Sequence, residues 1–478
     1  MKHNNLFKSC LIITALYILN LFSVYSNVLG ILLGASQIIL VFALLIRKKY
    51  DISMLYFIIF VSTSFEAKLF ALGTVEAEMY NFIILPIVQS YFMFIYNITF
   101  LILILIFRPN ILITIRKNKM LLNIVIILTV LVVGGTINTL LGLLLDDYRM
   151  VSNGIYFEYL TNDFYNFLVP ILFILNLSFV LFEYKFVNRL SNVLEAILIS
   201  FVPAAILSIG LGFKGYYSEG YQIIQMPLIA FFAVFLIYYA WYKRGLKKII
   251  FYLSGLLSFV ILIFYPSPLG GKWILISVIV ILILLAAYIK RYGIISLVVI
   301  SLVLVVSLPI ITTLLMKNNF EGSFISRKMT EVIELISVFD KDWYTNLGIS
   351  PKYRIDEFIN VVIEYSNKPL YILFGKGFGG VTRHYTSDLT WAEISSFSLL
   401  EISSGMYYRL HESLNNLFLK FGLVGLFFFF YIIFVSIKNL LSNQWLVVGL
   451  IWFLFYFGWY VSLFYGAASL VLGLYKIS

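Results

Sequence analysis

Long apolar runs separated by short polar turns dominate the chain. They predict membrane-crossing helices at approximately 10–25, 28–46, 52–71, 82–107, 121–145, 164–183, 193–212, 223–241, 249–265, 273–289, 293–316, 413–437 and 445–464. Most approach the ~20 residues a helix needs to cross the hydrocarbon core. Within lipid a helix satisfies every backbone N–H and C=O inside its own segment, which an isolated strand cannot do. The last apolar stretch, Tyr465 to Leu474, is too short to cross comfortably. It extends the preceding span, forms a half-helix or folds back as a cramped hairpin. The pattern predicts an all-α, polytopic integral membrane protein with about 12–14 transmembrane helices.

Composition agrees with the pattern. Hydrophobic residues make up 62% and charged residues 12% of the 478 positions, with mean hydropathy +0.99. A soluble domain is ~45–50% apolar and ~25% charged. Lys2 and Lys8 precede the run from Leu11 to Tyr25 as in a secretory signal. However, Ser26–Asn27 leads straight into the next run without a cleavage pattern, so this stretch reads as the first span. The net charge of +11 sits in small clusters between apolar runs, which argues against nucleic acid as a partner. Cys10 is the single cysteine, excluding an intrachain disulfide and a cysteine-rich metal site.

The basic clusters assign sides. With a cytoplasmic N-terminus, Arg47–Lys49, Arg116, Lys117, Lys119, Lys185, Arg189, Lys243–Lys248, Lys290–Arg291 and Lys438 all face inward. The short loops opposite hold only Arg149, Lys214 and Lys272. This is the positive-inside alternation. The expected organisation is residues 1–316 as the first eleven spans, 317–412 as one large extracytoplasmic loop, and 413–478 as the closing spans. Loops this long usually carry function or are disordered. This one has helical pattern. Met329, Val332, Ile333, Ile336 and Phe339 recur at helical spacing, and so do Ile355, Phe358, Ile359, Val362 and Ile363 behind Ser350–Pro351.

Candidate chemistry concentrates between Tyr353 and Gly425. Arg354 sits on a short helix, followed by PLYILFGKGFGG, a spacer, and HESLNNLFLKFGLVGLFFFF entering the next span. An external arginine, a glycine-rich turn and a histidine–asparagine motif opening a Gly-x-x-Gly helix, in that order, resemble the O-antigen polymerase/O-antigen ligase superfamily, which includes Wzy-type polymerases. The motif resemblance covers about 70 residues, and the arrangement of spans extends it to the whole chain. Where the family often has asparagine after the histidine, this chain has Glu412, with Asn415 and Asn416 following.

The resemblance implies a GT-C-like glycosyltransferase in the bacterial cytoplasmic (inner) membrane, with its active site facing the periplasm or exterior. Its substrate would be an oligosaccharide on undecaprenyl diphosphate. Its product would be a cell-surface polysaccharide of O-antigen or capsule type. His411 and Arg354 are the expected catalytic pair. An imidazole near neutrality can orient or deprotonate a sugar hydroxyl, and a guanidinium holds a departing diphosphate without losing its charge. Arg327, Arg383 and Arg409 are further diphosphate-binding candidates, with Arg149 on an earlier loop. Glu412, Asn415, Asn416, Gly375, Gly377 and Gly379 are candidates to line the substrate pocket. Plainer readings stand beside these. Arg354 could pair with Asp356 or Glu357, the glycines could make a tight turn, and Lys420 could snorkel.

Asp340-Lys341-Asp342 has the outline of an Asp-x-Asp metal site but lacks a second ligand cluster, so neither metal nor cofactor is expected. Partners implied are the lipid-linked glycan, membrane lipid, and a chain-length regulator and flippase of the same pathway. Two alternatives stand: a ligase passing a finished glycan to another acceptor, and a flippase. A flippase should show internal repeats, and none is visible.

Overall fold

The structure is a computed structural model. It describes residues 2–22, 27–63, 86–108, 116, 118–144, 155–184, 186–210, 229–264, 344, 349–366, 368–386, 399–408, 410, 412–440, 443–457 and 464–475. The expected spans at 273–289 and 293–316, and the expected loop helix at 327–339, lie outside these residues.

Helices dominate the described chain, in the order α1 (Lys2–Phe22), α2 (Asn27–Ile46), α3 (Tyr50–Thr63), α4 (Pro86–Phe107), α5 (Lys119–Leu144), α6 (Ile155–Tyr184), α7 (Val187–Gly210), α8 (Ile229–Trp241) and α9 (Leu246–Phe264). After these come α10 (Ile349–Ser366), α11 (Pro369–Phe374), α12 (Leu399–Ser404), α13 (Ser413–Asn439), α14 (Trp445–Tyr456) and α15 (Phe464–Tyr475). One two-residue antiparallel ladder interrupts them: β1 (Thr382–Arg383) pairs with β2 (Met406–Tyr407), Thr382 opposite Tyr407. Among the described residues, five stretches are long and apolar enough to cross a membrane: Val28–Ile46, Lys119–Leu144, Asp163–Phe182, Val187–Leu207 and Ser413–Asn439. The protein is therefore a helical, membrane-embedded one.

Two compact units make up the chain, residues 202–353 and the remainder. In the smaller, α8 and α9 form a hairpin turned at Gly245, with Tyr239 edge-on against Phe251 and the Lys243 ammonium over Tyr239.

The larger unit buries polar groups in pairs between helices. Asn176 of α6 donates to the Asn97 carbonyl of α4, Asn20 of α1 donates to the Thr63 carbonyl of α3, and Ser53 bonds the Tyr96 hydroxyl. Such bonds hold membrane helices together where burial of apolar surface gives no advantage over lipid. The outer faces are aliphatic, as on α5, where Val130, Val133, Ile137, Leu140 and Leu144 are exposed.

At the C-terminal end the apolar stretch after 464 folds back as a hairpin. Asn443 at the start of α14 donates to the carbonyls of Leu472 and Gly473 near the end of α15. Asn118, before α5, donates to the Leu474 carbonyl. Each arm has 12 residues and is about 18 Å long, short of the ~30 Å core.

Helix α13 would be about 40 Å long if straight, from its 27 residues. Yet the Phe457 N–H, just past α14, donates to Ser413 Oγ at the start of α13. A break reconciles these lengths. Gly422, at φ 59° and ψ −144°, is non-helical and divides α13 in two.

Candidate functional site

The break in α13 organises the site. Interrupting a membrane helix strands carbonyls that lipid cannot satisfy, so irregular backbone at that depth needs protein cover. Here the cover is α11 and the glycine-rich segment after it. The Lys376 and Gly377 amides donate to the carbonyls of Leu419 and Lys420. The buried Tyr365 hydroxyl, from α10, donates to the carbonyls of Phe418 and Leu419 at 3.0 and 2.6 Å.

Glycine is required where these backbones meet. A Cβ on Gly422 would lie 2.5 Å from the Ile372 carbonyl oxygen and 2.7 Å from the Gly375 nitrogen. A Cβ on Gly377 would lie 2.5 Å from the Gly135 carbonyl oxygen of α5.

Gly375 and Gly377 are therefore close-packing positions, and the amides of all three predicted pocket glycines are engaged within the protein. Gly375 donates to the Tyr371 carbonyl, Gly377 to the Lys420 carbonyl, and Gly379 to Asp163 Oδ2 at 2.8 Å. Phe378 donates to Thr139 Oγ1 at 2.7 Å. Asn138 reaches from α5 to the carbonyls of Phe374 and Gly375. An anion reaching these amides would have to displace those contacts.

Lys420 does not snorkel. Its side chain is 0% exposed, ion-paired with Asp163 of α6 (3% exposed) at 2.5 Å, and it donates to the Gly380 carbonyl at 2.7 Å. Phe167, Phe378 and Phe421 meet in edge-on and tilted contacts close by, keeping the pair in an apolar setting. Helices α6 and α13 thus hold the Gly379–Gly380 turn from both sides.

On α10 the apolar stripe is covered only in part: Ile355, Phe358 and Ile359 are half-buried, with Phe358 stacked on Phe418 of α13. Val362 and Ile363 are exposed, whereas Asp356, Glu357, Asn360 and Tyr365 are buried. The polar face of α10 meets the entry of α13. Arg354 is ion-paired through Nε with Glu412 at 2.5 Å. Asn415 donates to the Arg354 carbonyl at 2.9 Å and to Glu357 Oε2 at 3.0 Å. The Arg354 side chain is 27% exposed, so the pair lies at a solvent-accessible edge. Asn416 serves local structure, accepting from the Leu410 amide and donating to the carbonyls of Leu410 and Glu412.

A second polar cluster lies farther along α10. Lys376, 8% exposed, donates to Glu364 Oε1 and to the Val381 carbonyl, and the Tyr385 hydroxyl donates to Glu364 Oε2 at 2.6 Å. Burial alone would raise the Glu364 pKa. The adjacent Lys376 charge and the hydrogen bonds from Lys376 and Tyr385 outweigh it and hold the carboxyl below its ordinary value. Burial, together with its bond to Glu364, leaves Tyr385 pushed up to about 12. Asn360 Oδ1 accepts from the amides of Tyr385 and Thr386, tying the strand segment to α10. Arg383 is exposed on β1, opposite Met406.

Of the candidate residues, Arg354, Glu412 and Asn415 come together directly, with Asn416 one turn into the same helix. Arg327, Arg409 and His411 lie outside the described residues. Asp163, Glu357, Asn360, Glu364, Tyr365 and Lys376 were not singled out for the site from the sequence. A lone acid in one apolar run and a lone lysine in another were the available signal for Asp163 and Lys420, since charges at membrane depth seek one another. Among the described residues no group of three or more His, Cys, Asp or Glu is placed to hold a metal. Compared with family models, curated proteins and solved structures, the chain shows no match.

Proposed function

We propose that the protein polymerises a cell-surface polysaccharide. It would transfer the growing glycan from undecaprenyl diphosphate onto a new lipid-linked repeat unit at the outer face of the cytoplasmic membrane. In this reading residues 317–412 form the extracytoplasmic loop of a GT-C-like protein with 12–14 spans. The observation that carries it is the meeting of Arg354 with Glu412 and Asn415, since it joins the arginine helix to the helix-opening motif across 58 residues of chain.

Such a transfer breaks the bond between the anomeric carbon and the diphosphate and forms one to an acceptor hydroxyl. The diphosphate leaves with its charge, and the hydroxyl gives up a proton. Arg354 would take the leaving group, exchanging part of its contact with Glu412 for phosphate oxygens. Arginine suits this task because its planar fork donates paired hydrogen bonds to an oxyanion. Glu412 keeps the guanidinium in place between turnovers, and Asn415 fixes the α10 backbone beneath it. His411, adjacent in sequence to Glu412, would orient or deprotonate the acceptor hydroxyl.

The test is a glycan gel from a deletion strain complemented with wild-type, Arg354→Ala or His411→Ala protein. Each variant should lose long polysaccharide, by 100-fold or more on the scale of a removed charge-stabilising group. Single-repeat material and protein level should be retained. Wild-type ladders from both variants would remove the assignment.

A further inference from the structure

We propose that a groove between α5, α11 and α13 binds one chain of an anionic glycerophospholipid, with its phosphate at Lys368. The inference is independent of the polymerase reading. The groove encloses about 840 Å³. Its walls are aliphatic and aromatic, and several of its residues, including Val130, Ile137, Leu370 and Phe374, are exposed on the flank where lipid would surround the protein. Apart from Tyr371, the polar side chains among its lining residues are Asn138 and Lys368. Asn138 is committed to the carbonyls of Phe374 and Gly375 and closes the wall. Lys368, immediately before α11, is exposed and is the single charged side chain among the described lining residues.

An apolar slot with one cation at its rim complements an amphiphile with one negative charge. An ammonium acts as a point charge and lacks the fork that pairs with several phosphate oxygens. A monoanionic phosphodiester therefore fits Lys368 better than a diphosphate. Arg354 cannot complete a diphosphate site there, because it lies more than three turns back on α10, about 18 Å along the helix axis. The slot has open space beside α5. Gly134 lines it, and a Cβ built there meets nothing within 4 Å.

The test uses full-length protein in nanodiscs containing photoreactive phosphatidylglycerol or photoreactive phosphatidylcholine. Cross-links are mapped by peptide mass spectrometry. Phosphatidylglycerol should label peptides of α5 and α11 about fivefold more than phosphatidylcholine, the preference expected from one lysine near a phosphate. Lys368→Gln should abolish that preference while leaving some labelling. Gly134→Phe should remove labelling by both lipids with no change in thermal unfolding. Equal wild-type labelling by the two lipids would overturn the proposal, as would full labelling of Gly134→Phe. Displacement of the phosphatidylglycerol label by sub-stoichiometric polyprenyl diphosphate would also overturn it, assigning the slot to a lipid carrier. Should Gly134→Phe fail to fold, the surface variant Lys368→Gln still decides: an undiminished preference refutes the proposal.

Discussion

Replacing Lys420 by methionine should cost the protein about 3–5 kcal/mol, because it leaves a carboxylate buried without its cation. Asp163 is 3% exposed and would keep the Gly379 amide as a donor, but a neutral hydrogen bond does not offset the desolvation of a charge. The reverse change, Asp163→Asn, strands the Lys420 ammonium against the Gly380 carbonyl and should cost a similar amount. Combining Asp163→Asn with Lys420→Met removes both charges at once. The carboxamide introduced by Asp163→Asn retains an oxygen for the Gly379 amide, and methionine fills most of the lysine stem. Replacing a buried pair by neutral groups is often close to neutral. The double variant should therefore recover to within about 1–2 kcal/mol of wild type, a coupling of at least ~4 kcal/mol in the double-mutant cycle. Thermal unfolding of purified protein, followed by a thiol-reactive dye at the single Cys10, reads all four species. Additive single effects, or a double variant no better than the singles, would refute the claim that these charges depend on each other.

Four other outcomes are expected. Glu364 has a folded-state pKa below its ordinary value, so its contribution is present above about pH 4.5 and is lost as pH falls through the lower folded value. Glu364→Gln should accordingly destabilise by about 1.5–3 kcal/mol at pH 7, and less at pH 3, in paired unfolding curves. Gly422→Ala should abolish folded protein on size exclusion, since φ is 59° and the new Cβ meets the Ile372 carbonyl and Gly375 nitrogen. Gly405→Ala, also at positive φ but with nothing within 4 Å, should cost only about 1–2 kcal/mol. A topology reporter inserted near residue 345 should be scored outside the cell, and a cytoplasmic signal would reverse the sidedness on which the polymerase reading rests.

The helical, membrane-embedded class was legible because apolar run length is a direct consequence of bilayer thickness. α2, α5 and α9 begin within three residues of their expected starts. Helix α6 starts at Ile155, well before the expected 164, because its first turns carry Glu158, Asn162 and Asp163 and so look polar in sequence. Asp163 there is paired with Lys420, a tertiary partner that no local pattern reveals. The same limit explains α10. Its apolar stripe was correctly periodic, but periodicity does not say which side is covered. In a soluble protein the apolar face turns inward. Here the buried face carries Asp356, Glu357 and Asn360. The glycines were legible as a turn, and their partner was not. Gly375 and Gly377 pack on residues of α13 and α5, distant in sequence, and nothing in the string GKGFGG names them.

One physical requirement connects these features. A helix broken at membrane depth is tolerable only if its freed carbonyls find donors, and in α13 the donors come from Tyr365 and from the amides of Lys376 and Gly377. Those donors belong to the segment that also carries Arg354 at one end and the Glu364–Lys376–Tyr385 cluster at the other. The segment cannot move away without stranding carbonyls, and it cannot approach closely enough unless Gly375, Gly377 and Gly422 lack side chains. Its turn at Gly379–Gly380 is held in addition by Asp163 and Lys420 from two helices. Arg354 is consequently carried on a scaffold fixed by backbone hydrogen bonds and a buried ion pair. Under the proposed polymerase reading, such rigidity is what Arg354 would need to meet developing charge, because a donor that must reorganise during reaction gives up much of its stabilisation.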